Sequence, residues 1–552
     1  MYQQVLDPVA HSLAWSSLVA ALPLLVLFVL LGVLRLTAWI ASLAALATAL
    51  IVAIAVYGMP TGQALLAGTE GAAFGFFPIL WIVINAIWVY NMTVQTGHFD
   101  VLRRSFARVS NDQRIQAILI AFSFGALMEA LAGFGTPVAV TAVMLIALGF
   151  SPIKSAVLAL VANTAPVAFG AMATPIITLG SPAVTDLPSD TLGAMVGRQT
   201  PILAVFVPLV LVAIVDGRRG IRQTWPAALT CGVTFGIAQY VTSNFISVPL
   251  ADVVASLVSA AAIVALVRFW RPAETYTEGG GPAPVVAGGS ADAPTPEFAG
   301  RVARPDARSE VIKAYAPYAI IIAVFAICQI GAVKDFLDKA TQKFTWPGLD
   351  LLNTKGKPQS LMTFNFNILT TPGTQMLIAG LLTVIVLRIS IGTALRAYWV
   401  TLVQLRWAIL TVMAVLALAY VMNASGQTIT LGNWMAGAGG FFAFLSPILG
   451  WLGVAVTGSD TSSNSLFGAL QVTAAGKADL SQVLMAASNS SGGVLGKMIS
   501  PQNLAIAAAA VGLVGKEGDI FRKVILWSLV FLLGMCVLVA LQASSVLSWM
   551  VP

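Results

Sequence analysis

Apolar stretches long enough to cross a bilayer, each of about 18 residues or more, fill most of the 552 positions of this chain. Charged residues make up 9% of the sequence against 58% for hydrophobic residues, and the mean hydropathy is +0.90. Within a bilayer the backbone polar groups must bond to one another, which helices achieve within a single segment. The sequence therefore predicts an all-α polytopic membrane protein with about 12 to 16 membrane segments, some of them broken or re-entrant.

An internal repeat lies within these apolar stretches. The segment 155–175 recurs without a gap at 481–501, with identical residues in seven of 21 columns. Apolar helices resemble one another through Ala, Val and Leu, but that resemblance does not reproduce Asn, Met, Ser and Pro in register. A repeat built on Asn and Pro is typical of transporters whose helices break at the midplane of the bilayer.

Basic residues in short loops give the direction of each segment, because such loops are enriched in Lys and Arg on the cytoplasmic side. The segment 76–96 is predicted to run toward the cytoplasm, whereas its counterpart near 405–422 runs outward. The sequence thus predicts two inverted-topology repeats. The loop residues that set this scheme are Arg103, Arg104, Arg108, Arg114, Arg218, Arg219, Arg222, Arg388, Arg396, Lys516, Arg522 and Lys523.

The chain is predicted to divide into two membrane halves. The first half, 1–270, contains one repeat and closes with two extra helices, at about 226–245 and 250–267. A Gly- and Pro-rich stretch, 271–310, is predicted to be a flexible cytoplasmic linker. The second half, 311–552, contains the other repeat and a polar extracytoplasmic insert at 332–371.

Ionisable residues inside long apolar runs are costly, so each is a functional candidate. Glu129, Asp460 and Lys497 have no nearby loop in which to reach water and are interpreted as functional, although Glu129 could simply pair with a lysine. Lys154 is interpreted as reaching a membrane surface.

Gly- and hydroxyl-rich segments precede Asn163 and Asn489 by nearly the same interval. Such segments predict helix breaks, whose free backbone N–H groups bind a carboxylate at the start of a half-helix. The alternative for the two asparagines is hydrogen bonding between helices. We predict that a small substrate binds in a central cavity formed by Gly133, Gly135, Thr136, Asn163, Thr164, Ser459, Thr461, Asn489, Ser490 and Ser491.

Other classes of function lack support in the sequence. The net charge is +7, but the basic residues are spread over loops, so no nucleic-acid partner is expected. The histidines are His11 and His98, and no catalytic motif or phosphate-binding loop is present. Three cysteines have neither metal nor disulfide spacing. The chain is therefore predicted not to be an enzyme and to need no cofactor or metal.

Several motifs resemble the bacterial lactate permease family. They are Glu129 to Ala139, Ala162 to Gly170, Gly458 to Asn464 and Ser500 to Asn503. The resemblance implies a symporter in the bacterial inner membrane that takes up lactate, and related 2-hydroxymonocarboxylates such as glycolate, together with protons. The asparagine amides would then hold the 2-hydroxyl group. A sodium- or proton-coupled antiporter, or another organic-anion carrier of similar architecture, is the alternative.

Proton coupling requires a buried group that can hold a proton. Glu129 has apolar neighbours and little hydrogen-bonding support, and it is our first choice for this group. Asp460 stands among hydroxyl residues that favour its charged form, and it is expected to pair with Lys497 or to order the helix break. The competing hypothesis exchanges the roles of the two acids.

Overall fold

The computed structural model describes residues 1–552 except 35, 108, 134, 279–305 and 329. Most of the predicted linker therefore lies outside the described residues. Within them, ten helices are long and apolar enough to cross a membrane, or eleven if a bent pair counts as one span. This is fewer than the 12 to 16 segments predicted, because residues 189–245 count once and shorter apolar helices do not qualify. The protein is an all-α membrane protein.

The first half consists of helices joined by short turns. They are α1 (Leu13–Ala20), α2 (Leu22–Phe28), α3 (Ala38–Ala55), α4 (Thr61–Phe74), α5 (Trp81–Gln95), α6 (His98–Ala107), α7 (Gln113–Gln116), α8 (Gly125–Ala132), α9 (Thr136–Ala147), α10 (Pro152–Ala162), α11 (Gly170–Leu179), α12 (Ser189–Val196), α13 (Thr200–Ala204), α14 (Val207–Phe245) and α15 (Ala251–Phe269). Short π-helical or 3-10 turns extend or connect them at Val29–Val33, Gly75–Leu80, Ala117–Phe124, Val167–Phe169 and Val248–Leu250.

The second half adds ten helices and most of the strand residues. The helices are α16 (Arg308–Cys328), α17 (Gly331–Asp338), α18 (Pro372–Val386), α19 (Ile391–Ser425), α20 (Gln427–Met435), α21 (Phe442–Thr457), α22 (Asp460–Lys477), α23 (Gln482–Gly496), α24 (Pro501–Ala510) and α25 (Glu517–Gln542). The 3-10 turns are Ser360–Met362, Ala436–Phe441, Lys497–Ile499 and Ser548–Met550, and the strands are β1 (Tyr2–Gln3), β2 (Gln342–Thr345), β3 (Leu351–Leu352) and β4 (Thr363–Phe366).

Two helical hairpins bring chain turns into the interior. In the first, α7 and α8 lead inward and α9 returns, so that the side-chain amide of Gln113 donates to the carbonyl of Leu148 at 2.9 Å. The second hairpin consists of α21 and α22, which are joined across by Ser463 Oγ donating to the carbonyl of Gly450 at 3.1 Å. Each hairpin thus places its turn, near 133 or 458, among buried residues.

The two copies of the sequence repeat form broken helices. After α10 ends at Ala162, the chain turns by 67° before it continues as 167–179. In the second copy, α23 ends at Gly496, and α24 begins at Pro501 after a 3-10 turn. Proline at the start of a new helix lacks only an N–H that would have no partner there. In the second copy the break therefore falls just before the proline of the repeat, Pro501, whereas in the first copy the turn comes earlier and the corresponding Pro175 lies inside α11.

The ends of the two hairpins opposite their turns make different contacts. Beside the first, the fully buried Arg114 guanidinium pairs with Asp112 at 2.7 Å and Asp216 at 3.0 Å, so Arg114 is not the loop charge that we predicted. Lys154 pairs with Glu278 at 3.1 Å nearby. The second hairpin packs through α22 on α20. Inverted repeats would produce hairpins that open toward opposite faces, and that symmetry stays a prediction.

The insert 332–371 is folded. β2 pairs with β4 in antiparallel register, and β3 pairs in parallel with β1 at the N-terminus. Phe364 of β4 packs edge-on against Phe74 of α4, with ring centroids 6.5 Å apart. The N-terminal segment and the insert therefore cover the same end of the helix bundle.

Candidate functional site

A cavity of about 340 Å³ lies where the turns of the two hairpins meet the two broken helices. Three charged side chains reach it, those of Glu129, Asp460 and Lys497, and Lys497 is the only cation among the described lining residues. The other lining residues supply mostly small, hydroxyl and aromatic groups. The lining falls within 37–39, 129–133, 167–175, 407–412, 457–462 and 497–503.

A buried ion pair joins the two halves of the chain at this cavity. Lys497 Nζ lies 2.6 Å from Glu129 Oε1, and the two residues are 6% and 2% exposed. Glu129 comes from α8 before the turn of the first hairpin, whereas Lys497 begins the 3-10 turn between α23 and α24. Our expectation that Lys497 pairs with Asp460 is wrong, because the lysine reaches across to the first half.

The second oxygen of Glu129 is also bonded. Asn163 Nδ2 donates to Glu129 Oε2 at 2.9 Å, so both carboxylate oxygens accept a hydrogen bond. The sequence-based view of Glu129 as a carboxyl with little support is therefore wrong. Asn163 is the C-cap residue of α10, and its own Oδ1 has no partner within the described part of the chain. The end of α10 at the helix break thus places Asn163 where its amide bonds to Glu129.

Asp460 occupies the first turn of α22, and no described side chain of opposite charge lies within ion-pair distance of it. Its Oδ2 accepts from Ser490 Oγ at 2.5 Å and from Asn464 Nδ2 at 3.5 Å, and it is 3% exposed. Its Oδ1 has no hydrogen-bond partner among the described residues. The hydroxyl that bonds Asp460 thus comes from Ser490 and not from its neighbours in the sequence, and Lys497 lines the same cavity but pairs with Glu129.

Local backbone geometry creates both hairpin turns. Gly133 ends α8 at φ 24° and Gly458 ends α21 at φ 75°, in the left-handed region that glycine adopts without steric cost. Ser459 then caps α22, with its Oγ accepting from the N–H of Ser462 at 3.3 Å. The first turn of α22 lines the cavity, and the N–H groups of Asp460 and Thr461 in this turn have no partner within the helix.

The predicted substrate-binding residues fall into two groups. Gly133, Ser459 and Thr461 line the cavity, and Gly135 and Thr136 begin α9 just beside it. The others are buried one layer behind, where their side chains bond to protein groups: Thr164 to the carbonyl of Val161, Asn489 to Asn464 and Gln471, and Ser490 to Asp460. Ser491 Oγ is buried there without a partner among the described residues. Their contact with a substrate stays a prediction.

Part of the lining was not predicted. Trp39 and Trp407 stack at the cavity with ring centroids 5.0 Å apart, and Thr411, Gln502 and Asn503 line it as well. Gln502 and Asn503 directly follow the repeat and stand in a motif already noted. Nothing local in the sequence connects the two tryptophans, which are brought together only when α3 packs on α19.

Comparisons of the sequence with known proteins agree on one family. The family model described as L-lactate permease matches residues 16–546. An L-lactate permease of Bacillus subtilis (strain 168) is 41% identical, with 100% of both chains covered. The glycolate permease GlcA of Escherichia coli (strain K12) is also 41% identical, with 96% of each chain covered. Among solved structures, Neisseria gonorrhoeae MtrF, of a class of antimetabolite efflux pumps, has a TM-score of 0.48 at 13% identity, covering 87% of this chain and 84% of that one.

Proposed function

The chain belongs to the L-lactate permease family, and from this premise we propose that it takes up lactate and glycolate together with protons across the bacterial inner membrane. It is a membrane transporter rather than an enzyme. The observation that carries the proposal is the buried pair of Glu129 and Lys497 at the cavity. In this pair, Lys497 can bind the carboxylate of an anionic substrate, and Glu129 can bind a proton.

Charge balance explains the coupling. The ion pair is neutral as a whole, and adding a lactate anion alone would leave an uncompensated buried charge, which is costly. A proton on Glu129 removes its negative charge and frees Lys497 to bind the substrate carboxylate. The site then holds one more anion and one more proton, and its net charge is unchanged. Lactate and a proton therefore bind together.

The start of α22 offers a second group of donors to the carboxylate. Its first turn carries free N–H groups and the positive end of the helix dipole, and residues 459–462 all line the cavity. Lys497 lines the same cavity. We assign the substrate carboxylate to the space between these donors, and the 2-hydroxyl group to the hydroxyl of Thr461, which no described side chain bonds.

Transport in proteoliposomes tests the proposal. Purified protein is reconstituted, and labelled lactate or glycolate uptake is measured with an inward proton gradient, with an inward sodium gradient, or with neither. We expect both substrates to accumulate with the proton gradient alone. Accumulation that follows only the sodium gradient would refute proton coupling, and export driven by inward proton flow would favour the antiporter.

Removing the Thr461 hydroxyl should weaken recognition of the 2-hydroxyl group. Thr461→Val keeps the shape of the side chain, and we expect the KM for lactate to rise roughly three- to tenfold, the effect of one neutral hydrogen bond. Propionate lacks the 2-hydroxyl group, so its KM should stay the same. Equal changes for lactate and propionate would contradict the assignment.

Adding one carbon beside Glu129 should disturb the ion pair. A Cβ at Gly170 would lie 2.7 Å from Glu129 Oε1, which forces the carboxylate to move. We expect Gly170→Ala to lower proton-driven lactate uptake by about tenfold or more, because small displacements of binding groups have large effects. Gly392→Ala is the control, since a Cβ at Gly392 meets nothing within 4 Å. Unchanged uptake in Gly170→Ala would show that the pair tolerates displacement.

A further inference from the structure

Another buried acid, Asp252, lies outside the cavity, on helices that the sequence repeat does not include. Asp252 stands in the first turn of α15, and Gln239 belongs to the later part of α14. Both side chains are 0% exposed. These helices correspond to the two extra segments predicted at the end of the first half. A carboxyl held there has no role in the substrate contacts proposed above.

Asp252 is only partly bonded. Gln239 Nε2 donates to Asp252 Oδ1 at 2.7 Å, and Thr200 Oγ1 donates to Gln239 Oε1 at 3.2 Å. The other oxygen, Asp252 Oδ2, has no hydrogen-bond partner among the described residues. A buried carboxylate oxygen without a partner has lost its hydrogen bonds to water and gained none from the protein, which is energetically costly. A proton on the carboxyl lessens that cost.

The contacts of Gln239 lead from Asp252 toward Glu129. Gln239 Nε2 also lies 3.5 Å from the carbonyl of Ala165, inside the α10–α11 break. Two residues earlier in the same break, Asn163 donates to Glu129, and its Oδ1 is buried without a described partner. α15 packs directly on α8, the helix that carries Glu129. The break thus bonds to Glu129 through Asn163 and contacts Gln239, the partner of Asp252.

Among the described residues, the charged group nearest to Asp252 on its neighbouring elements is an acid, Glu129 of α8. α12, which packs on the turn before α15, contributes the exposed Asp190. α14 contributes the thiol of Cys231, about two helical turns from Gln239, and carries its charged residues within 216–222, more than about four turns from Gln239. The π-helical turn Ala117–Phe124, the 3-10 turn Val248–Leu250 and α11 carry no charged side chain, and α16 carries its charges in its first turns. Buried acids of this kind form proton relays in membrane transporters.

We propose that Asp252 is a second proton-binding residue, which delivers the proton to Glu129 across the α10–α11 break. The inference rests on the proposed proton coupling. In the transfer, the O–H bond of the Asp252 carboxyl breaks and an O–H bond forms on the Glu129 carboxylate. Asp252 is left as a carboxylate and takes up its next proton from solvent. The amides between the two acids do not titrate, so this transfer requires a water molecule to enter the break.

Asp252→Asn tests the relay, because asparagine keeps an acceptor for Gln239 but cannot release a proton. Lactate counterflow with equal pH on both sides is compared with uptake driven by an inward proton gradient, both in proteoliposomes. We expect counterflow to stay within about twofold of the wild type, and driven uptake to fall at least about tenfold, as when a proton-transfer group is lost. Asp190→Asn, at an exposed acid of α12, is the matched control and should change neither rate.

The outcomes separate this inference from the proposed function. Driven uptake that is unimpaired in Asp252→Asn overturns the relay alone, and so does an equal loss of counterflow and driven uptake, which indicates a structural role. A wild type without proton-driven uptake refutes the coupling and the relay together. If Asp252→Asn is not recovered folded, Asp252→Glu is measured instead. It should retain driven uptake with a shifted pH profile, and loss of driven uptake with intact counterflow would overturn the relay.

Discussion

Replacing Lys497 with methionine is expected to abolish lactate transport and to destabilise the protein. The substitution removes the only cation among the described residues of the cavity, and it leaves Glu129 buried with Asn163 as its one remaining partner in the described part of the chain. Breaking one side of a buried ion pair costs about 3 to 5 kcal/mol of stability. Lactate affinity should fall at least about a hundredfold, which corresponds to about 2.8 kcal/mol. Equilibrium binding of labelled lactate and thermal unfolding in detergent measure the two effects.

A double variant separates stability from function. In Glu129→Gln with Lys497→Met no charge of the pair remains, so most of the lost stability should return while lactate binding stays weak. Lys477→Met is the matched control, because Lys477 is exposed at the end of α22. Wild-type lactate affinity in Lys497→Met would contradict the role of Lys497, and a double variant no more stable than Lys497→Met would contradict the energetic argument.

Glu129→Gln should separate lactate binding from proton coupling. In this variant Lys497 no longer pairs with a carboxylate of the protein, so the lactate carboxylate can bind to Lys497 without first displacing Glu129. We expect lactate exchange between loaded vesicles to stay within about tenfold of the wild type, whereas accumulation driven by a proton gradient should be lost. Both are measured with labelled lactate in proteoliposomes.

The control for this variant is Glu310→Gln, at an exposed acid in the first turn of α16. If Glu129→Gln still accumulates lactate against its gradient, the proton must be carried elsewhere. Asp460 would then be the next residue to test, since it is buried and bonded only to neutral side chains.

The sequence predicted the parts of the site but not how they pair. Glu129, Asp460 and Lys497 were identified because charges in apolar segments are costly, and all three reach the cavity. The ion pair joins residues 368 positions apart, and its partners depend on how the two halves dock. Residue type could not show that Lys497 meets Glu129 rather than Asp460, which is nearer in the chain.

The same rule could have identified two further acids. Glu70 in α4 and Asp252 in α15 also stand in long apolar runs, and both are 0% exposed. Both oxygens of Glu70 lack a hydrogen-bond partner within the described residues. Neither acid lies in or beside the sequence repeat, and the search for site residues concentrated on the repeat and the segments that precede it. Similarly, the repeat highlighted Asn489, Ser490 and Ser491, although they lie behind the cavity and bond or pack there.

The central claim is that a lactate carboxylate replaces Glu129 on Lys497 when Glu129 takes up a proton. Proton uptake on lactate binding tests it most directly. Lactate is added to purified protein in weakly buffered detergent solution, and the pH change is followed with an indicator dye while bound lactate is counted. We predict about one proton taken up per lactate bound by the wild type and none by Glu129→Gln. Binding by the wild type without proton uptake, or equal uptake by Glu129→Gln, would contradict the claim.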